Sequence, residues 1–286
     1  MFAARRALSF AARSTAVCGQ SRLPQRVWLA RGQASIATSE QAAAATNRAE
    51  VTLKRFWKSV GIESRDNGLA ITLDKRPLRT PGGKPLLLPQ HKRLVAALIA
   101  TEWENQETLL KPHALPVTSL ASRAIDAFTD EKSRSEVRSL LLKYLDTDTI
   151  CYHESEPDAL VTLQEAHWKP LLEWACSEFG VDIQTSDSLL FTSQPPETLQ
   201  KFDKVMAEFD QWEMAAIERA TYTSKSFLIA LALVKGRISA EDAALASHVE
   251  VNSQIKRWGE VEDSHDVDHH DVRRQLGSAA CILSNL

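Results

Sequence analysis

The spacing of apolar residues along this chain changes near Pro89, and that change limits the folds that are open to it. Before Pro89, Leu69, Ile71 and Leu73 alternate with their neighbours, which is the period of a β-strand. After it, apolar residues recur every three or four positions, which is the period of amphipathic helices. The switch predicts an α+β fold: a small antiparallel β-rich N-terminal domain followed by a mainly α-helical C-terminal domain.

Turn signals and composition place the borders of these regions. Asn67-Gly68 is a tight-turn sequence between short apolar runs, which favours strands joined as antiparallel neighbours. We therefore place the β-rich domain at residues 51–92 and the helical domain at residues 93–286. Residues 40–50 are rich in Ala, Gln and Thr and are predicted to be a linker.

Two long helices are predicted in the second half of the chain. The first covers residues 158–179 and is expected to bend at Pro170, because a proline inside a helix removes a backbone hydrogen bond. The second covers residues 239–258 and begins with a capping box, in which Ser239 is followed three residues later by Asp242.

The first 39 residues have a composition unlike that of the remaining chain. They contain six arginines and no Asp, Glu or Lys, with Ser and Ala between them. An Arg-rich, Ser-rich and acid-poor start is typical of an organelle transit peptide, so residues 1–39 are predicted to be one. The alternative is a basic tail that binds an acidic partner.

Removal of that segment would leave a strongly acidic protein. Taking its six arginines from the 34 basic residues leaves 28 against 37 acidic ones, a net charge near −9. Such a charge repels phosphate backbones, so we expect no nucleic-acid partner. The apolar run Phe227–Val234 has eight residues, whereas a bilayer-spanning helix needs roughly twenty, so we expect no membrane insertion.

Common catalytic and cofactor motifs are absent from the sequence. There is no phosphate-binding glycine motif, no G-x-S-x-G nucleophile turn and no C-x-x-C pair, so no catalytic residue and no cofactor are predicted. Asp146 and Asp148 could hold a divalent cation, but two carboxylates alone rarely make a site. We interpret them as the solvated end of a helix.

An acidic, histidine-rich segment after Trp258 is the one candidate for metal chemistry. Its His265-Asp266 pair is similar to a doublet of metal-dependent phosphohydrolases, and His248 lies upstream at a helical distance. Neighbouring residues of one helix, however, point in directions about 100° apart and cannot easily share one ion. A metal-dependent hydrolase is therefore an alternative, and no metal site is predicted.

Several phrases, taken in order and spacing, carry a resemblance to a known family. They are Thr101-Glu102-Trp103, Leu115-Pro116-Val117-Thr118-Ser119-Leu120-Ala121, His167-Trp168-Lys169-Pro170-Leu171-Leu172-Glu173-Trp174-Ala175, and Trp258-Gly259-Glu260-Val261-Glu262 followed by His265-Asp266. Together they resemble the assembly chaperones for the alpha subunit of F-type ATP synthase, called ATP synthase assembly factor 2 in mitochondria. The resemblance covers roughly residues 53–276.

This resemblance implies a mitochondrial matrix chaperone without enzymatic activity or cofactor, whose client is the unassembled alpha subunit. It implies that the Trp-Gly-Glu-Val-Glu segment contacts the client, and we expect Gly259, Glu260, Glu262 and Asp266 to bind the partner. We expect a monomer. The pair His269-His270 has no role that the family pattern supplies. A permanent structural subunit of a mitochondrial complex is a further alternative.

The residues around Gly259 also lead to a local prediction. If the helix over residues 239–258 continues, Trp258 packs inward, Gly259 permits close backbone approach and Glu260 points outward. A simpler interpretation of Glu260 is an ordinary surface pair with Lys256, four residues earlier.

Overall fold

The computed structural model describes residues 54–187 and 193–286. Residues Lys54–Leu286 form one compact unit. The predicted transit peptide at residues 1–39, the predicted linker at residues 40–50 and the first three residues of the β-rich domain lie outside the described residues.

A four-stranded antiparallel sheet follows the start of the described chain, as the period of two predicted. Its strands are β1 Val60–Arg65, β2 Gly68–Leu73, β3 Arg76–Pro77 and β4 Leu87–Leu88. The strand β2 is central and pairs with the other three, and its register with β1 joins Arg65 to Gly68. All six residues of β2 are buried, so both of its faces are covered.

Gly68 is required by its surroundings. Its φ of +145° lies in a region that other residues rarely adopt, and a Cβ there would come within 2.4 Å of the carbonyl oxygen of Leu88. The turn predicted at Asn67-Gly68 is therefore also a place where the backbone of β4 comes close to β2.

Helices occupy most of the described chain after the sheet, and the α+β prediction is confirmed. Their bounds are α1 Arg93–Glu104, α2 Pro116–Asp126, α3 Glu131–Asp146, α4 Asp158–His167, α5 Lys169–Phe179, α6 Pro196–Ala207, α7 Gln211–Ser224, α8 Phe227–Val234, α9 Ala240–Ser247, α10 Val249–Trp258 and α11 Glu262–Leu283, with short 3-10 turns at Pro112–Ala114 and Thr149–Cys151.

The helix α8 lies at the centre of the core. Its first seven residues, Phe227 to Leu233, are buried, and it packs against α7, α5 and α3. The apolar run that could not span a bilayer is thus an interior helix. Within residues 54–187 and 193–286, no helix is both long and apolar enough to cross a membrane.

The sheet and the helices share one hydrophobic core. The helix α1 packs against β1 and β2 on one side and contacts α2 and α11 as well. The buried ammonium of Lys92, just before α1, donates to the carbonyl oxygen of Ile282 at 2.9 Å. A division into two domains at residue 92 stays a prediction.

Both long helices predicted for the second half are broken in two. The helix over residues 158–179 stops at His167 and restarts at Lys169, with Pro170 in the first turn of α5, where its missing N–H costs nothing. The helix over residues 239–258 stops at Ser247 and restarts at Val249. The capping box of Ser239 and Asp242 is confirmed.

Asp148 corrects a prediction. We expected it at a solvated helix end, but its carboxylate is completely buried and accepts the backbone N–H groups of Ile150 at 3.2 Å and Leu228 at 3.0 Å. Burial raises the pKa of the Asp148 carboxyl to about 6, against the hydrogen bonds that lower it. Asp148 therefore helps to cap the central helix α8, because Leu228 lies in its first turn.

Candidate functional site

The predicted partner-binding residues lie at a corner between α10 and α11. The helix α10 ends at Trp258, and Gly259 reverses the chain with a φ of +88° while its N–H donates to the carbonyl oxygen of Ile255 at 2.8 Å. The prediction that Gly259 sits inside a helix and permits a close approach is wrong, since nothing lies within 4 Å of a Cβ built there. Its positive φ is what favours glycine at this position.

Trp258 also lies differently from the prediction. Its side chain is 70% exposed rather than packed in the core. The buried residues of α10 are Val249 and Ser253, and Trp258 follows Ser253 by five residues, which places it about 140° around the helix from that stripe. The guanidinium of Arg257 lies 5.0 Å from the centre of the indole ring.

The carboxylates of the corner are open to solvent. Glu260, Glu262 and Asp266 are exposed, and none of their carboxylates has a hydrogen bond or ion pair with any residue that the structure describes. The Lys256–Glu260 pair considered above is likewise not formed between these described residues. Glu262 is in the first turn of α11, where the helix dipole stabilises negative charge.

Two exposed valines lie among these carboxylates. Val261 is 60% exposed and Val267 is 69% exposed, so with the indole of Trp258 the corner carries three exposed apolar side chains. We call Trp258, Glu260, Val261, Glu262, Asp266 and Val267 the acidic corner.

His265 and Asp266 do not form a metal centre with His248. The ring nitrogen Nδ1 of His265 accepts the N–H of Val261 at 3.0 Å, which caps the start of α11. The Nε2 atom of His248 lies 2.9 Å from a carboxylate oxygen of Asp268, and its ring is nearly parallel to that of His269, with centres 6.5 Å apart. No three His, Cys, Asp or Glu side chains in the described part of the chain are placed to hold a metal ion.

The part of α11 that follows the acidic corner is anchored to the body of the protein. Arg273, which lies after the acidic corner on α11, makes two hydrogen bonds to the carboxylate of Glu241 on α9, at 2.9 and 2.7 Å. The guanidinium lowers the pKa of the Glu241 carboxyl. Beyond Arg273 the helix enters the core through Leu276, Ala279 and Ile282. The exposed half of α11 is therefore the extension of a buried helix.

The corner exposes apolar side chains together with carboxylates, a composition that is typical of surfaces that bind other proteins. The chain belongs to the ATP12 chaperone family. The family model described as ATP12 chaperone protein matches residues 54–176. The resemblance found in the sequence is thereby confirmed.

Curated relatives and solved structures agree with this assignment. The mitochondrial protein atp12 of Schizosaccharomyces pombe is 34% identical over 239 residues, covering 81% of this chain and 82% of that protein. The mitochondrial protein ATP12 of Saccharomyces cerevisiae is 29% identical over 277 residues, covering 82% and 85%. The crystal structure of Atp12 from Paracoccus denitrificans matches with a TM-score of 0.71 at 30% identity, covering 82% of this chain and 99% of that chain.

Proposed function

We propose that this chain is a non-catalytic chaperone of the mitochondrial matrix. It binds the unassembled alpha subunit of F-type ATP synthase and promotes assembly of the catalytic head. It acts as a monomer without a cofactor, and residues 1–39 direct its import. Membership of the ATP12 chaperone family supports the class of function, and the observation that carries the client contact is the set of open carboxylates at the acidic corner.

A subunit of a ring needs such a protein before its neighbours arrive. It exposes interface that is buried only in the finished ring, and exposed apolar interface leads to aggregation. A holding chaperone must cover that surface and then release it. Charged and apolar groups on a rigid scaffold meet this need without catalytic chemistry.

The acidic corner has the composition of a protein interface. Trp258, Val261 and Val267 supply exposed apolar side chains, and tryptophan is among the residues that contribute most to binding energy at interfaces. Glu260, Glu262 and Asp266 supply negative charges that attract a basic client surface and set its orientation. Gly259 contributes by allowing the reversal that puts these groups next to one another.

The test reverses one charge at the acidic corner and, in a separate control variant, one charge elsewhere on the surface. Glu260→Lys places a cation where a basic partner meets an anion, and like charges in a desolvated interface cost several kcal/mol. We expect this variant to melt at the wild-type temperature, because Glu260 makes no bond to the described residues, but to recover far less unassembled alpha subunit by co-precipitation. The control is Glu173→Lys, which reverses an exposed carboxylate of α5.

Two results would count against the proposal. If Glu260→Lys folds and still co-precipitates as much alpha subunit as the Glu173→Lys control, the acidic corner does not bind the client. If the wild-type protein is found in fixed ratio within finished ATP synthase, it is a structural subunit rather than a chaperone.

A further inference from the structure

A recess lies between the turn after β3 and the helix α2, in a part of the chain that is distant in sequence from the acidic corner. It is a cleft of about 600 Å³, lined by Arg79, Pro81, Trp103, Leu115, Ser122 and Ala127 among others. Most of the lining surface is apolar, and its polar side chains are Arg79, Thr80, Thr118, Ser119, Ser122, Arg123 and Asp126.

The wall formed by α1 and α2 is held in place by hydrogen bonds. The carboxylate of Glu102 accepts the N–H groups of Val117 at 2.7 Å and Thr118 at 2.9 Å, as well as the hydroxyl of Thr118 at 2.6 Å. The indole N–H of Trp103 donates to that same hydroxyl oxygen at 3.1 Å. Because these residues cap the start of α2, this wall is formed before any ligand arrives.

The opposite wall, formed by the turn after β3, is hydrogen-bonded to the end of α2. One carboxylate oxygen of Asp126 accepts the hydroxyl of Thr80 at 2.7 Å, and the other accepts the N–H of Gly82 at 2.9 Å. A Cβ at Gly82 would lie 2.7 Å from that carboxylate, so the turn needs a glycine to come this close. The cleft therefore has two fixed sides.

Two polar side chains at the cleft have hydrogen-bonding or charge-pairing capacity that the described chain does not use. Ser122 is only 8% exposed, yet its hydroxyl has no hydrogen-bond partner among residues 54–187 and 193–286, although a helical serine commonly bonds to the carbonyl one turn earlier. Arg79 is exposed and donates to the carbonyl oxygen of Gly83 at 3.0 Å, but it has no carboxylate partner in the described chain. Arg123, also at the rim, is instead paired with Glu218.

We propose that this cleft binds an extended segment of a partner protein that carries a bulky apolar side chain beside a carboxylate. The apolar side chain enters between Trp103 and Leu115, the carboxylate pairs with the guanidinium of Arg79, and the hydroxyl of Ser122 bonds to a polar group of the segment. A peptide fits better than a metabolite, since small-molecule sites enclose most of their ligand. Here the exposed side chains of Arg79 and Arg123 stand at an open rim.

This site is independent of the proposed function at the acidic corner. The corner presents anions and would attract a basic surface, whereas the cleft presents an arginine that has no carboxylate partner in the described chain and would attract an acidic one. The protein would thus hold two chemically different segments, either of one partner or of two.

The test measures the binding of defined peptides to the full-length chain by fluorescence anisotropy. The probe is fluorescein-labelled Gly-Asp-Phe-Asp-Gly, compared with Gly-Asp-Ala-Asp-Gly and Gly-Lys-Phe-Lys-Gly. We expect the first to bind at least about tenfold more tightly than the other two, because it alone offers both the apolar ring and the carboxylates.

Variants locate the binding. Arg79→Glu should weaken binding of the Asp-Phe-Asp peptide by about tenfold or more, as should Ala127→Phe, which fills the cleft from α2. The matched control is Arg76→Glu on β3, an exposed arginine that does not line the cleft, and it should change binding by less than about twofold. Glu260→Lys should leave peptide binding unchanged even where it abolishes client binding.

Three outcomes would overturn the proposal. The first is binding of the lysine peptide as tightly as the aspartate peptide. The second is an equal loss for Arg79→Glu and Arg76→Glu, which would mean a response to overall charge. The third is tight binding of the Asp-Phe-Asp peptide that Ala127→Phe leaves intact in a folded protein.

Discussion

Carboxylates in two regions of this molecule have opposite surroundings. In the body of the protein, Asp148 and Glu102 each accept backbone N–H groups at the start of a helix, and burial raises the pKa of both. At the acidic corner, Glu260, Glu262 and Asp266 are exposed and bond to no residue that the structure describes.

The difference separates residues that hold the fold from residues that are free to meet a partner. A buried acceptor that is lost leaves its donors without a partner, and this destabilises the native state. An exposed carboxylate with no partner can be changed with little effect on folding. Substitutions in the two regions should therefore affect different measurements, unfolding in one and binding in the other.

Among the carboxylates of these two regions, the largest expected effect is that of Asp148→Ala on stability. The substitution leaves the N–H groups of Ile150 and Leu228 buried without an acceptor, and we expect the free energy of unfolding at pH 7 to fall by about 2–4 kcal/mol. Urea denaturation followed by circular dichroism measures this change. Asp266→Ala is the matched control and should unfold like wild type. Equal stability of the two variants would remove the distinction between buried and exposed carboxylates.

The second prediction concerns pH. Asp148 has a pKa of about 6 in the folded protein against an ordinary value of 3.8, so the folded chain holds this proton more tightly than the unfolded chain. Its contribution to stability is complete below about pH 4 and is lost as the pH rises through 6, by about 3 kcal/mol in all.

Asp148→Asn isolates this contribution. The variant cannot titrate at this position, whereas Glu102, Glu241 and every other ionisable group are unchanged, so their effects cancel in the difference. The gap in unfolding free energy between wild type and variant should shift in favour of wild type as the pH is lowered from 7.5 to 5. A gap that stays constant over this range would show that Asp148 does not titrate there.

Local patterns in the sequence were sufficient for much of the fold. The alternation of Leu69, Ile71 and Leu73 predicted a strand, and the capping box at Ser239 predicted a helix start, because both patterns depend on residues close together in the chain. The corner between α10 and α11 was not predicted, because Gly259 was placed in a continuing helix, although Gly259, Glu260 and Glu262 were named together from a contiguous sequence phrase. Whether these residues bind a client stays a prediction.

Predictions that depended on distant residues were wrong. The burial of Asp148 depends on Leu228, 80 residues later in the chain. Trp258 is exposed because the helix breaks at His248. After the break, α10 no longer continues the buried face of α9. His248 was considered as a distant partner of His265 in a metal site, and its hydrogen bond to Asp268 could not be inferred from spacing.

A small stability effect is expected at Trp258, where a tryptophan would ordinarily be assigned to the core. Because its side chain is 70% exposed, Trp258→Ala should lower the free energy of unfolding by less than about 1 kcal/mol. Trp168→Ala is the control: that side chain is 1% exposed and donates to the carbonyl oxygen of Ala246, so its loss should cost about 3–5 kcal/mol. If Trp258 anchors the client at the acidic corner, Trp258→Ala should also weaken recovery of alpha subunit about tenfold while remaining folded. If Trp258→Ala is as unstable as Trp168→Ala, the side chain of Trp258 belongs to the core. If Trp258→Ala binds the client normally, the carboxylates are the principal contacts.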